Sequence, residues 1–174
     1  MKHLLAHRGQ SDWWTSHRQN EVVEYIRVDA PAIWPVPPLG VLNCANGLLD
    51  LATGELRDHD PSFLSPVQLP VHYDPDATCP AWLRFARQTF PSDAPDLAWE
   101  IATWLMTPDT SIEKALLFHG EGGNGKSTYL SGLTSFLGGW NCTNLSLHKL
   151  EAGRFAAARL VGKLANICPD LPSA

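Results

Sequence analysis

The chain has 174 residues, 44% of them hydrophobic and 18% charged, with a formal net charge of -5. These proportions give enough apolar mass for a core and exclude a disordered tail, and the negative balance excludes a chain drawn to nucleic acid by its overall field, so a DNA contact needs a local patch. Cys44, Cys79, Cys142 and Cys168 lack CxxC spacing, and no apolar run approaches the ~18 residues of a membrane span; both features exclude a zinc or disulfide scaffold and an exported or membrane chain, and favour a reducing cytoplasm.

Residues 1–18 show little periodicity and form an unassigned segment. Val22, Val23 and Ile26 then recur at helical spacing, which predicts a short amphipathic helix over 19–27. Pro31, Pro35, Pro37 and Pro38 forbid regular structure and make 30–39 an extended connector. A hairpin follows: residues 41–45, a turn at Asn46-Gly47, and a return strand over 48–51 ending in a second turn at 52–55. Residues 67–71 read as a strand that Pro70 confines to an edge or stops early. Pro80 suits the first turn of a helix whose apolar face is Trp82, Phe85, Ala86 and Phe90. A second helix starts near Asp93, whose carboxylate would cap it, and carries Leu97, Ile101, Trp104 and Leu105 on one face until 107–110 end it. Aromatic residues at helical spacing read as core and not as a base-stacking surface.

The stretch Gly120-Glu121-Gly122-Gly123-Asn124-Gly125-Lys126-Ser127-Thr128 fits GxxxxGK[ST]. It lies between an apolar run (115–118), expected to be a strand, and a helix-like run (129–137), the order that a phosphate-binding P-loop requires. Glycines let successive backbone N–H groups turn toward a triphosphate, and the helix start behind them adds its positive end. In such a loop Lys126 reaches the β- and γ-phosphates of ATP and the Ser127 hydroxyl ligates Mg²⁺; Thr128 is expected to cap the helix, and Glu121 to face solvent. The alternative is a Gly-rich surface turn with a solvated lysine.

Beyond the loop, Gly138-Gly139 is a helix stop, 144–147 a short strand, 149–160 a helix, and 164–168 a buried strand ending at Pro169-Asp170. A P-loop ATPase holds its Mg²⁺ with a carboxylate at a neighbouring strand end. Asp170 is the candidate, catalytic and metal-ligating; a terminal turn Pro-Asp-Leu-Pro is the alternative. Pro169 precedes it, so no second acid adjoins and the base is unassigned. Lys149, Arg154, Arg159 and Lys163 make a basic stretch, read either as a solvated face or as phosphate contacts. His72, His119 and His148 lack ligand spacing.

The run from Asn43 to Leu56 and that from Val71 to Trp82 resemble the domain preceding the helicase in the phage/plasmid primase family, related to the poxvirus primase-helicase. The loop resembles that family's Walker A, and Phe155 onward, with Gly162 to Ile167 and Asp170, its Walker B neighbourhood. The resemblance, over about residues 19–174, implies a superfamily 3 helicase: an AAA+-type ATPase using ATP and Mg²⁺, assembling as a homo-hexameric ring on DNA beside other replication proteins. Residues 120–128 carry over as its nucleotide site, Lys126 and Asp170 as catalytic groups, and Ser127 and Asp170 as metal ligands. It also implies that the chain is truncated after Walker B, without the sensor asparagine, arginine finger and DNA-contacting hairpin, so that alone it has low or no activity.

The expected fold is α/β: a partial P-loop NTPase (AAA+-like) parallel sheet with helices over 115–174, preceded by a small α+β pre-helicase region over 19–114. The leading expectation for function is an ATP-binding fragment of a replicative primase-helicase. Its competitor is a non-enzymatic remnant or oligomerisation adaptor with a vestigial P-loop, in which 19–114 would fold alone. A small P-loop kinase lacks the acceptor pocket and lid it would need.

Overall fold

The computed structural model describes residues 15–94 and 96–168. It separates into one unit reaching to Ile33 and a second beginning at Trp34. In the first, helix α1 (Ser16–Asp29) is opened by Thr15, whose hydroxyl accepts the Arg18 N–H at 3.3 Å, and closed at Ala30 just before Pro31. It contains the expected 19–27 segment, but no residue of it is buried; Tyr25 and Ile26 are both exposed.

The second unit begins within the proline-rich connector, which is irregular as its ring constraints dictate. Trp34 nevertheless docks, its ring edge-on to Phe63 at 5.1 Å and its N–H on Leu64 O at 2.9 Å. Strands β1 (Val41–Cys44) and β2 (Gly47–Asp50) pair antiparallel, Val41 opposite Asp50 and Cys44 opposite Gly47. The loop residues are therefore Ala45 and Asn46, one position earlier than Asn-Gly turn chemistry predicts. Gly47 is instead the first residue of β2, paired with Cys44, and must be glycine because a Cβ there would stand 2.4 Å from Arg57 O on the next strand. That strand, β3 (Leu56–Arg57), adds to β2 beyond a turn in which Asp50 Oδ1 accepts the N–H groups of Ala52 and Thr53. These bonds, Thr53's first, hold the Asp50 carboxyl below the usual range.

Residues 67–71 form no regular strand. They run beside β1, with Leu69 N–H on Asn43 O at 2.8 Å and Ala45 N–H on Val71 O at 2.9 Å. Pro70 sits between these contacts and has no N–H to add, and beyond them the Asn46 side chain takes over, donating to Tyr73 O and accepting from Tyr73 N–H, each at 2.9 Å.

Helix α2 (Pro80–Thr89) has Pro80 in its first turn, as expected. Helix α3 (Leu97–Met106) starts later than predicted: Asp96 is its first flanking residue, no side chain caps it, and Asp93 lies outside. Helix α4 (Lys126–Leu137) begins inside the glycine motif and buries Tyr129, Leu133 and Leu137, one residue per turn. Tyr129 and Leu133 join Ala86, Ala98 and Ile101 in one core; Leu137 joins Leu42, Cys44, Leu49 and Leu69 in another. Helix α4 thus spans both cores, and each draws on residues before and after 115. A fragment of 19–114 would lack Tyr129, Leu133 and Leu137, so its independent folding is not expected.

Two contacts fix α4 closely. Tyr129 Oη donates to Ala98 O at 2.7 Å, among Trp82, Phe90 and Phe118 with ring centroids 4.7–5.8 Å away. A Cβ on Gly132 would stand 2.4 Å from the Trp82 ring, so the missing side chain lets α2 and α4 meet. After Gly138, a 3-10 turn (Gly139–Asn141) buries Asn141, whose Nδ2 donates to Gln68 O and Leu137 O, each at 2.7 Å.

The final stretch departs most from expectation. Strand β4 (Cys142–Thr143) precedes the predicted 144–147, and α5 (Leu147–Ala152) is followed by Gly153 and a 3-10 turn (Ala156–Leu160) in place of one helix over 149–160. Gly153 flanks the end of α5, and a Cβ there would lie 2.8 Å from Lys149 O, so the position needs glycine. Strand β5 (Ala165–Asn166), within the predicted 164–168, pairs parallel with β4. Asn166 clamps the pair, accepting from Thr143 Oγ1 and Leu145 N–H at 2.8 Å and donating to Leu145 O at 2.9 Å.

The fold is mixed α/β, with a three-stranded antiparallel sheet and a two-stranded parallel one. The expected strand over 115–118 is not formed: these residues are irregular and join neither sheet, and Leu117 is 74% exposed, while Phe118 packs on the Tyr129 core. A strand is completed only by a neighbour, and no described strand pairs with these residues. Among the described residues no helix is long and apolar enough to cross a membrane.

Candidate nucleotide site

Helix α4 positions the candidate site. Its first residue is Lys126, and its flanking residue is Gly125 in the left-handed region at φ 85°, with no side-chain cap on the first N–H groups. Helix starts leave such donors free, and their dipole end favours an anion. Gly123 is also left-handed, at φ 75°. A Cβ on Gly122 or Gly123 would meet nothing within 4 Å, so this side of the loop opens to solvent. The other side rests on α2: a Cβ on Gly125 would stand 2.9 Å from Thr89 Oγ1 and 3.1 Å from the Phe85 ring. Glycine is therefore needed at 125 for both backbone conformation and space.

Lys126 Nζ donates to Gly120 O at 2.7 Å, Glu121 O at 2.9 Å and Asn124 Oδ1 at 2.8 Å. The ammonium thus lies over the loop that a phosphate would enter. Ser127 and Thr128 follow in the first turn of α4, both exposed. Thr128 does not cap the helix, since the helix begins two residues before it. Glu121 faces solvent, as expected from its place in the loop.

Residues 120–128 are thus brought together around one helix start. Asp170 and Pro169 lie outside the described residues. Two residues of the basic stretch are held locally: Lys163 Nζ donates to Trp140 O, and Arg154 stacks at 5.6 Å over the exposed Phe155 ring. His72, His119 and His148 are exposed. Sequence reasoning missed Thr89 and Phe85 as the floor of the loop; the only available signal was their place on the apolar side and at the end of a predicted helix.

With this geometry in hand, comparison with known families gives two matches. Residues 15–91 match a family model described as D5 N terminal like, and residues 118–174 match a family of unknown function. The first match supports a primase-helicase-related family. A search of curated proteins finds no match.

Proposed function

We propose that residues 120–128 bind ATP with Mg²⁺, and that the chain is the ATP-binding part of a phage/plasmid-type replicative primase-helicase acting on DNA in the cytoplasm. The observation that carries this reading is the Lys126 ammonium held over a glycine loop at an uncapped helix start. Loop N–H groups and those of the helix start would donate to the phosphate oxygens, Lys126 would neutralise the β- and γ-phosphates, and Ser127 would present its hydroxyl to the metal. Asp170, following β5, is proposed as the acid that completes the metal site. On this reading 115–174 is the core of an AAA+-like P-loop sheet, 19–114 its pre-helicase region, and a homo-hexameric ring the assembled form. Mg²⁺ supplies charge neutralisation at the phosphates; the chain's residues bind and orient them.

Calorimetric titration of the intact chain with Mg–ATP tests the proposal. Binding is expected in the wild type, with loss of at least about tenfold in Lys126→Ala, the scale of one charge-assisted contact of 1.5–3 kcal/mol. No heat from the wild type would overturn it. The second reading, an oligomerisation adaptor with a vestigial loop, is favoured by one observation: Val23, Tyr25, Ile26 and Val28 of α1 are all exposed. It expects self-association that is unchanged in Lys126→Ala and reduced in Ile26→Glu, measured by sedimentation.

A further inference from the structure

The lysine of the loop has no donor to spare. An ammonium carries three N–H bonds and no acceptor. Those of Lys126 meet Gly120 O, Glu121 O and Asn124 Oδ1, all within 2.9 Å. A phosphate oxygen that reaches Lys126 must therefore replace one of these partners. Two are main-chain carbonyls, which move only with the loop. The third is on the exposed Asn124 side chain, free to turn about its own torsions. It reaches Lys126 across Gly120, where a Cβ would stand 2.4 Å from Asn124 Nδ2.

We infer that Asn124 is a latch on Lys126: its amide oxygen holds the third ammonium donor and is the group an incoming phosphate displaces. The inference rests on the reading of the loop as a triphosphate site and deepens it, making Asn124 a positioning residue that acts through the lysine. The two carbonyls keep the ammonium over the loop, and Asn124 sets how readily its last donor is given up. Shortening the side chain therefore releases the donor without displacing the lysine. Replacing the amide by a carboxylate tightens the hold and adds a negative charge facing the phosphate.

Two measurements on the intact chain test this. The first needs no nucleotide: the acetylation rate of Lys126 relative to Lys149, with an amine-acylating reagent and peptide mass spectrometry. Acylation requires the neutral amine to leave its acceptors, so Asn124→Ala raises the ratio about two- to tenfold, the worth of one hydrogen bond, and Asn124→Asp lowers it. The second is Mg–ATP affinity by calorimetry. Asn124→Ala binds about two- to tenfold more tightly than wild type, and Asn124→Asp more weakly. An unchanged acetylation ratio in Asn124→Ala overturns the latch, as does weaker ATP binding by that variant. If the acetylation ratios follow the expected order while no form of the chain binds ATP, the hold of Asn124 on Lys126 stands and the nucleotide reading falls.

Discussion

The two flanks of the glycine loop are equally apolar in sequence and opposite in structure. Downstream, α4 buries Tyr129, Leu133 and Leu137 to 2% exposure or less; upstream, 115–118 is irregular and pairs with no strand, and residues 115–117 are exposed while only Phe118 packs inward, on Tyr129. A helix satisfies its backbone groups within itself and needs packing on one face only. A strand leaves every N–H and C=O to a neighbour. The same apolar content is therefore enough to place α4, while 115–118 lacks a strand partner among the described residues.

Substitutions on the two flanks sharpen this contrast. The largest effect is expected from Leu137→Ala, fully buried at the end of α4, which should cost about 2–5 kcal/mol in denaturant unfolding. A loss below about 1 kcal/mol would mean the second core is not cooperative with the first. Gly132→Ala comes next. The new methyl meets a Trp82 ring that Phe85 and Tyr129 hold in place, and overpacking of about 1–3 kcal/mol exceeds the ~1 kcal/mol that alanine gains in a helix. Trp82→Leu in the same chain should recover part of the loss.

Tyr129→Phe should cost about 1 kcal/mol at neutral pH, through the bond to Ala98 O. Its larger signature is in alkali. Burial pushes the Tyr129 phenol from 10.0 up to about 12, so between these values the unfolded chain has released a proton that the folded one keeps. Stability from this group is complete below pH 10 and lost as the pH rises toward 12. Unfolding curves across that window should fall more steeply for wild type than for Tyr129→Phe. The smallest effect belongs to the upstream flank: Leu117→Ala should change stability by less than about 0.5 kcal/mol. A core-sized loss there would show that Leu117 is packed and not exposed.

Much of this was legible in the sequence, and what was not has a common cause. Pro80, the helix-like run over 129–137 and Gly138 place helices because their signals are local. The glycine motif was recognisable because its conformational demands lie within a few residues. The hairpin was placed but its turn was one residue off, since Gly47 answers to Arg57 O on a third strand and not to the turn itself. The predicted 149–160 helix breaks at Gly153, a residue that weakens a helix locally. Asn141 and Asn166, which tie remote segments together, carry no local signal at all.

The seat of Gly125 on Thr89 and Phe85, with Gly132 against Trp82, bears on how this chain can change over time. Thr89, Phe85 and Trp82 lie in the stretch matching one family model, and both glycines in the stretch matching the other. The two stretches are thus not freely exchangeable modules. A recombinant joining 15–91 of one relative to 118–174 of another inherits a working loop only if the end of α2 and the glycines above it come as a matched set.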